Sequence, residues 1–371
     1  MKISVCYIVK NEEQNLEKSL KTVLPFADEI LVADTGSNDG TKRVAGESGA
    51  TVFDYTWQDD FSAARNFIRD KAKGDWIVFP DADEGFLHPE YIRDILKKIE
   101  SNQDDIDAIM VRLIEQDMDE GGCVIATERA LRVFRNKPNL RYRNRIHENI
   151  ANLTGELKLY FADARMDMYH TGYSSSVIRS KVERNLRLLQ QDIAENGEQE
   201  WHYSFLADCY FGLQDYNSAL KYAVLSLDSN IDTIAARASV FHRAIESMRQ
   251  LNWNLDEMLS LAEMAIHEFP KMPEFYGERG MILCGMGRLR EAKQSLMKAS
   301  ELYENPQGDG IEGSYYSPRV ASIIYARLGE ISAIEAHNDE AEMYFLTAIK
   351  TDDTNQAAHE KYENFLRERN S

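Results

Sequence analysis

Long apolar runs are missing from this 371-residue chain. Nothing approaches the roughly eighteen residues that a membrane helix needs. The run Ile3 to Val9 is ended at once by Lys10 and is too short for the core of a signal peptide. The sequence therefore predicts a cytoplasmic protein, complete from Met1, with no transmembrane segment. Cysteine is scarce: Cys6, Cys123, Cys209 and Cys284 lie far apart with no Cys-x-x-Cys pair, which argues against a disulfide scaffold and for buried thiols in a reducing compartment. With only 20 Gly and 8 Pro, fibrous and disordered classes are excluded. Basic charge is also in deficit. Lys and Arg number 43 against 62 Asp and Glu, a net charge of −19, and the summed field repels nucleic acid and anionic lipid.

What is present is a globular composition, 43% hydrophobic and 28% charged, long enough for two or three domains. Up to about residue 113 the chain alternates β-rich runs with amphipathic helical patterns. Ile3 to Val9, Glu29 to Ala33, Thr51 to Tyr55 and Trp76 to Phe79 read as strands. Between them, Leu16, Leu20, Val23 and Leu24 form a helical stripe, and Thr41 to Ser48 and Ala63 to Ala72 read as helices. Strands separated by helices pair in parallel through right-handed crossovers, which predicts a three-layer α/β domain.

From about Lys181 the strand signals vanish. Tyr203, Leu206, Ala207, Tyr210, Tyr216 and Ala219 follow the spacing of a tetratricopeptide unit. Tyr276, Gly280, Leu283, Leu289, Ala292, Leu296 and Ala299 repeat it, as do Tyr325, Leu328, Gly329, Ala341, Phe345 and Ala348. Leu255, Ala262, Ala265 and Pro270 preserve only the second half of a unit, and Asn305 to Ser317 reads as an inserted loop. The predicted division is an α/β domain over 1–180, a connecting helix over 181–199 and a helical repeat domain over 200–371. A generic helical bundle is the alternative for the last part.

Two acidic sites stand at the ends of predicted parallel strands. Asp34 opens the turn Thr35-Gly36-Ser37-Asn38-Asp39-Gly40-Thr41, and Asp81-Ala82-Asp83-Glu84 follows Trp76 to Phe79. Ligands of open α/β sheets bind outside the carboxyl ends of strands, so both sites point into one cleft. Asp34 alone is equally a turn former or helix cap. Asp81 and Asp83 repel one another unless a cation lies between them, and hard divalent ions such as Mg²⁺ or Mn²⁺ bind through one or two carboxylates plus phosphate oxygens.

With Lys10-Asn11-Glu12-Glu13, Val32 to Thr41 and Asp81 to Asp83, the N-terminal third resembles the family 2 glycosyltransferases of the GT-A fold. Further ordered segments resemble the subgroup that carries C-terminal tetratricopeptide-type helices, which includes the sublancin-type peptide S-glycosyltransferase and flagellin-modifying transferases. These segments are Trp57 to Asn66, Arg132-x2-Arg135, Ile146-His147-Glu148, His170-x-Gly172-Tyr173 and Lys181-x2-Arg184-Asn185.

The resemblance implies an inverting, metal-dependent hexosyltransferase using a nucleotide sugar such as UDP-glucose or UDP-GlcNAc. It implies donor binding by Asp34, Asp81, Asn11 and Arg65, and Mg²⁺ or Mn²⁺ held by Asp81 and Asp83. Thr35 replaces the second acidic residue of the usual turn. The segment Arg129 to Arg145 holds seven basic residues and no acidic one, and Arg132 and Arg135 are expected to help neutralise the diphosphate. His147 and Glu148 are the candidates for proton acceptor, with Glu115 and Asp117 in reserve. His170 closes the donor site, binds metal, or is a packed core residue.

Residues 200–371 carry 16 basic and 27 acidic side chains, so the repeat domain suits a neutral or basic polypeptide. It is expected to deliver a peptide or protein acceptor, to join two copies into a homodimer, or both. The alternatives are synthesis of a cell-surface polysaccharide or glycolipid, and a non-catalytic repeat scaffold. A nucleotidyltransferase would need a glycine-rich, lysine-containing loop after the first strand, and Lys10-Asn11-Glu12-Glu13 is not one.

Overall fold

A computed structural model describes residues 1–102, 105–119, 121–172, 178–229, 234–305 and 317–369. Tyr173 and most of the Asn305–Ser317 insertion lie outside these residues. The chain divides into two compact units: Met1–Cys123 with Glu128–Gly197, and Glu198–Ser371 with Val124–Thr127.

The first unit begins as the alternation of apolar runs predicts: β1 (Ile3–Val9), α1 (Glu13–Val23), β2 (Glu29–Asp34), α2 (Thr41–Glu47), β3 (Thr51–Asp54), α3 (Phe61–Arg69) and β4 (Trp76–Val78). It continues with β5 (Glu84–Phe86), α4 (Ile92–Ser101), β6 (Ala108–Asp117), β7 (Cys123–Arg135), β8 (Leu140–Arg143), β9 (Asn149–Asn152), β10 (Leu159–Phe161), β11 (Met168–His170) and α5 (Ile178–Asn196). The sheet runs β3-β2-β1-β4-β7-β6-β11-β5, with β10 added beside β6, while β8 and β9 form a separate ribbon.

Alternation along β1 feeds two cores. Ile3, Val5, Tyr7 and Val9 pack with Leu16, Leu20 and Val23 of α1, whereas Cys6 joins Ile68 of α3 with Ile77, Phe79 and Phe134 on the opposite face. A strand covered on both sides carries a near-continuous apolar run, broken in Ile3–Val9 by the buried Ser4 alone. Leu24 departs from the predicted stripe: it lies beyond α1 and is 47% exposed, while Ser19 takes the buried position.

The parallel expectation holds for β1 with β2, β2 with β3, and β1 with β4. Beyond β4 the sheet is mixed, because β7 pairs antiparallel with β4 and β11 pairs antiparallel with β5. The chain leaves β1 toward β2 and β3, then returns to place β4 on the other side of β1. A crevice therefore opens at the carboxyl ends of β1 and β4, the switch point where such sheets bind ligands.

The second unit is entirely helical apart from its short β7 segment: α6 (Glu200–Gly212), α7 (Tyr216–Leu227), α8 (Ile234–Gln250), α9 (Leu255–Glu268), α10 (Pro273–Gly285), α11 (Leu289–Glu304), α12 (Pro318–Ile334), α13 (Asn338–Thr351) and α14 (Gln356–Arg369). Gln214, Asn252, Gly287 and Ala336 all have positive φ, and each sits in the turn joining a successive helix pair. The half unit expected at Leu255 to Pro270 is thus a whole one. Its first helix is α8, which buries Phe241, Ala244, Ile245 and Met248 instead of the motif's tyrosine and glycine. Gly280 and Gly329 are required by contact: a Cβ would meet Leu296 Cδ2 at 2.6 Å and Phe345 Cδ1 at 2.9 Å, so these positions set the close approach within α10/α11 and α12/α13. Among the described residues no helix is long and apolar enough to cross a membrane.

Candidate active site

A cleft of about 580 Å³ occupies the predicted crevice, within the usual range for small-ligand sites. Lys10 and Glu12 enter it after β1, Thr35 after β2, and Asp81 and Asp83 after β4. Trp57, Phe61, Ile146 and Ile178 add an apolar wall, and α5 contributes Lys181, Arg184, Asn185 and Arg187.

Asp34 serves the turn with one oxygen. Its Oδ2 accepts from the Gly36 and Ser37 amides at 3.0 Å each, and Lys42 Nζ stands 3.5 Å away. Burial opposes its charge, but Ser37, Gly36 and Lys42 outweigh it and hold the carboxyl below its ordinary range. Its Oδ1 is buried with no hydrogen bond, so the turn-forming role leaves an acceptor unused. Asn11 clamps this turn to β1: its amide donates to Ser37 Oγ at 2.9 Å and its Oδ1 accepts from Asn38 N at 2.8 Å. Neither Asn11 nor Asp34 is among the cleft residues: of the two acidic sites expected to share the cleft, only Asp81 and Asp83 line it, and Thr35 lines it in place of the fully buried Asp34. Thr35 donates its hydroxyl back to Val9 O at 3.0 Å.

Asp81 and Asp83 are compensated separately. Arg65 Nη2 donates to Asp81 Oδ1 at 2.7 Å, and Arg65 Nε to Glu148 Oε1 at 2.5 Å. Its guanidinium lies 4.8 Å from the centre of the Phe79 ring and 5.3 Å from that of Tyr142. Burial opposes its charge, yet Asp81 and Glu148 raise its proton affinity further, and it stays cationic. Arg65 Nη1 is buried without a partner. Behind Asp81, the fully buried Glu84 takes a bidentate pair from Arg132 at 2.7 and 2.6 Å and also accepts the Asp81 amide at 3.0 Å.

Asp83 Oδ2 faces Lys181 Nζ at 3.0 Å and His170 Nε2 at 3.5 Å. Burial would raise the Asp83 carboxyl, but the His170 and Lys181 contacts hold it far below the usual range. His170 is not a passive core residue: its Nδ1 lies 2.7 Å from Glu115 Oε2. Although burial works against its charge, Asp83 and Glu115 push it up to about 10. Gly172 has no side chain where Asp83 Oδ2, His170 Nε2 and Lys181 Nζ converge, and a Cβ there would collide with all three.

The two proton-acceptor candidates both line the cleft but differ in state. Burial, aided by Arg184, pushes the His147 imidazole down to about 3, so it is neutral at physiological pH. Glu148 has Oε1 tied to Arg65, and no hydrogen bond reaches its Oε2 among the described residues. Of the reserves, Glu115 stands behind His170, and Asp117 accepts the Asp119 amide at 2.9 Å in a turn after β6.

The basic segment is placed differently from expectation. Arg135 stacks 4.0 Å over the Trp76 ring and donates to Glu100 at 2.8 Å, at the opposite end of β4 from Asp81. Arg132 reaches Asp81 only at 3.4 Å and is not among the cleft residues. Arg129 donates to the Met110 and Ala162 carbonyls, Lys137 pairs with Asp107, Arg141 with Asp70 and Arg145 with Glu195. These cations are consumed by an acidic protein's own carboxylates and carbonyls. The cations in the cleft come instead from the end of β1, α3 and α5. The segment Lys181-x2-Arg184-Asn185 is visible in sequence, but its two cations give a weaker signal than the seven of Arg129–Arg145. Lys42 and Glu84 were missed, although Glu84 directly follows Asp83.

Elsewhere, Glu335, His337 and Glu340 could bring three ligand atoms within 4.8 Å of one another. Lys293 already bridges both carboxylates at 2.7 Å each, so their charge is compensated.

Residues 4–168 match the glycosyl transferase family 2 profile and residues 273–306 a tetratricopeptide repeat. A TPR repeat-containing protein of Synechococcus elongatus is 28% identical over 309 residues, covering 78% of this chain and 74% of that protein. The SPbeta prophage-derived glycosyltransferase SunS of Bacillus subtilis is 28% identical over 229 residues, covering 60% of this chain and 52% of SunS, so the match spans about half of that relative. Among solved structures, glucosyl-3-phosphoglycerate synthase of Mycobacterium tuberculosis is 25% identical over 31% of this chain and 44% of its own, with a TM-score of 0.27. This chain carries an N-terminal glycosyl transferase family 2 domain, of mixed α/β GT-A-like architecture, fused to a C-terminal tetratricopeptide-like helical region.

Proposed function

We propose that this protein transfers a sugar from a nucleoside diphosphate sugar, of the UDP-glucose or UDP-GlcNAc kind, to a peptide or protein side chain with inversion at the anomeric carbon. The observation that carries this reading is the pairing of Asp83 Oδ2 with His170 Nε2 against the backbone of Gly172, in a cleft ringed by Lys10, Arg65, Lys181 and Arg184. That donor set fits a divalent cation. An oxygen and an imidazole nitrogen face one another at 3.5 Å, and Glu115 Oε2 stands 2.7 Å behind the imidazole. When bound there, Mg²⁺ or Mn²⁺ would neutralise charge accumulating on the departing diphosphate.

The chain's own residues account for the remaining steps. Lys10 and Arg184 line the cleft for the anionic part of the donor, and Asp34, buried next to the cleft residue Thr35, holds the turn that borders the nucleoside. Arg65 holds Asp81 and Glu148 in fixed relation. As the acceptor oxygen or sulfur bonds to the anomeric carbon, the bond from that carbon to phosphate breaks and the diphosphate leaves. Glu148, anchored at Oε1, takes the acceptor proton on Oε2. His147, neutral and buried, borders this path without competing for the proton. The acidic repeat unit presents a surface suited to a neutral or basic polypeptide acceptor.

The test is release of UDP from a panel of uridine sugars with Mn²⁺ and a peptide acceptor. Glu148→Gln should slow transfer by about 10²–10⁴-fold, the usual worth of a general base, while UDP affinity stays near wild type. Asp83→Asn should lose both. No nucleotide release with any sugar donor, or full activity in Glu148→Gln, would defeat the corresponding assignment.

A further inference from the structure

We propose that Lys181 is a movable counter-cation: it compensates Asp83 in the free protein and passes to the donor diphosphate when a divalent ion takes its place. This rests on the reading of the cleft as a nucleoside diphosphate sugar site. Lys181 Nζ approaches Asp83 Oδ2 to 3.0 Å, the same oxygen that His170 Nε2 faces. Both cationic side chains face one carboxylate oxygen, and the three groups crowd together against the backbone of Gly172, so an ion gripping Asp83 and His170 would compete with the ammonium for the same oxygen. A monovalent and a divalent cation repel strongly at such range in a partly buried site, so one must yield.

Lys181 is built to yield. Its ammonium is a compact charge on a flexible stem, and its side chain remains 33% exposed, whereas Arg65 beside it is clamped between two carboxylates and two rings. Its helix limits where it can go. Arg184 and Arg187 stand one and two turns further along α5 and discourage movement toward them, while Glu12 and Asp81 lie on the cleft side. The released ammonium therefore remains facing the cleft. There, a departing diphosphate carries more negative charge than one divalent ion neutralises.

The two roles give opposite signs on removing the charge. With the full chain, Mn²⁺ binding measured by electron paramagnetic resonance without nucleotide should tighten about fivefold in Lys181→Met, because a competing cation is gone. UDP binding measured by calorimetry in saturating Mn²⁺ should weaken about tenfold in the same variant, the scale of one charge-assisted contact. Lys181→Gln should repeat the pattern, which guards against a folding defect peculiar to one substitution. Changes of the same sign in both affinities, or no change in either, would overturn the counter-cation role while leaving the cleft's function standing. A wild-type protein that binds UDP equally well with and without Mn²⁺ would also overturn it, since Lys181 would then be the resident cation. A wild-type protein that binds neither Mn²⁺ nor UDP would instead defeat the reading of the cleft itself.

Discussion

Arg65 joins Asp81 to Glu148: one guanidinium, buried between the Phe79 and Tyr142 rings, reaches Asp81 Oδ1 at 2.7 Å through Nη2 and Glu148 Oε1 at 2.5 Å through Nε. The first carboxylate of the acidic turn and the carboxylate after His147 are thereby fixed against each other, although they are far apart in sequence. The rigid fork of an arginine makes this possible, because its donors point in set directions from one plane.

Replacing Arg65 should therefore expose a difference between charge and geometry. Arg65→Met leaves the largely buried Glu148 without its cation and Asp81 with only the longer Arg132 contact, which should cost about 3 kcal/mol of stability. Arg65→Lys keeps the charge but cannot hold both carboxylates in the same way, so it should fold with a smaller loss and still transfer sugar poorly. Urea denaturation midpoints alongside turnover would check this. Equal stability of the Met and Lys variants would contradict the bridging role.

Glycine positions in the repeat unit allow a paired test of the helix-packing reading. Within helices Gly→Ala ordinarily stabilises by about 1 kcal/mol through propensity. At Gly280 a Cβ would fall 2.6 Å from Cγ and Cδ2 of the buried Leu296, and overpacking of this kind costs about 1–3 kcal/mol. At Gly285, in the same helix, the nearest contact is an ordinary 3.6 Å to Leu255. Thermal melting should show Gly280→Ala lowering the midpoint and Gly285→Ala holding or raising it. Stabilisation by both would mean that α10 and α11 are not as close as described.

How much of this was legible depended on whether a signal was local. β1 could be read because a strand covered on both faces is nearly all apolar, and Asp34, Asp81 and Asp83 because they stand at or shortly after the ends of such strands. The fate of the Arg129–Arg145 charges could not be read, since their partners Glu84, Glu100, Asp107, Asp70 and Glu195 lie scattered along the chain. For His170, too, the deciding facts are Asp83 on one ring nitrogen and Glu115 on the other, which only the fold supplies. The first helix of the second repeat escaped because Phe241 and Ala244 fill the sites where the motif expects tyrosine and glycine. The positive φ of Asn252 marks the same turn as in the other pairs.

Glu274, in the first turn of α10, gives the repeat unit a dependence on pH that can be isolated. Its carboxyl oxygens are buried and meet no hydrogen-bond donor from another residue, and burial pushes the group up to about 8. The native state therefore keeps this proton at neutral pH, whereas the unfolded chain gives it up near about pH 4.3. Between those two values the unfolded state binds fewer protons, so stability falls as pH rises, by at most about 1.4 kcal/mol per pH unit from this group. The contribution is intact below the unfolded value and lost on approaching the folded one. Glu274→Gln has nearly the same shape and no titration. It should match wild type near pH 4 and exceed it by about 1–2 kcal/mol near pH 8, allowing for local relaxation around the charge. Thermal unfolding of both proteins across that range measures the difference directly. A constant offset would show that Glu274 does not retain its proton, and a deficit growing toward pH 8 would show that its carboxylate is stabilised in the fold.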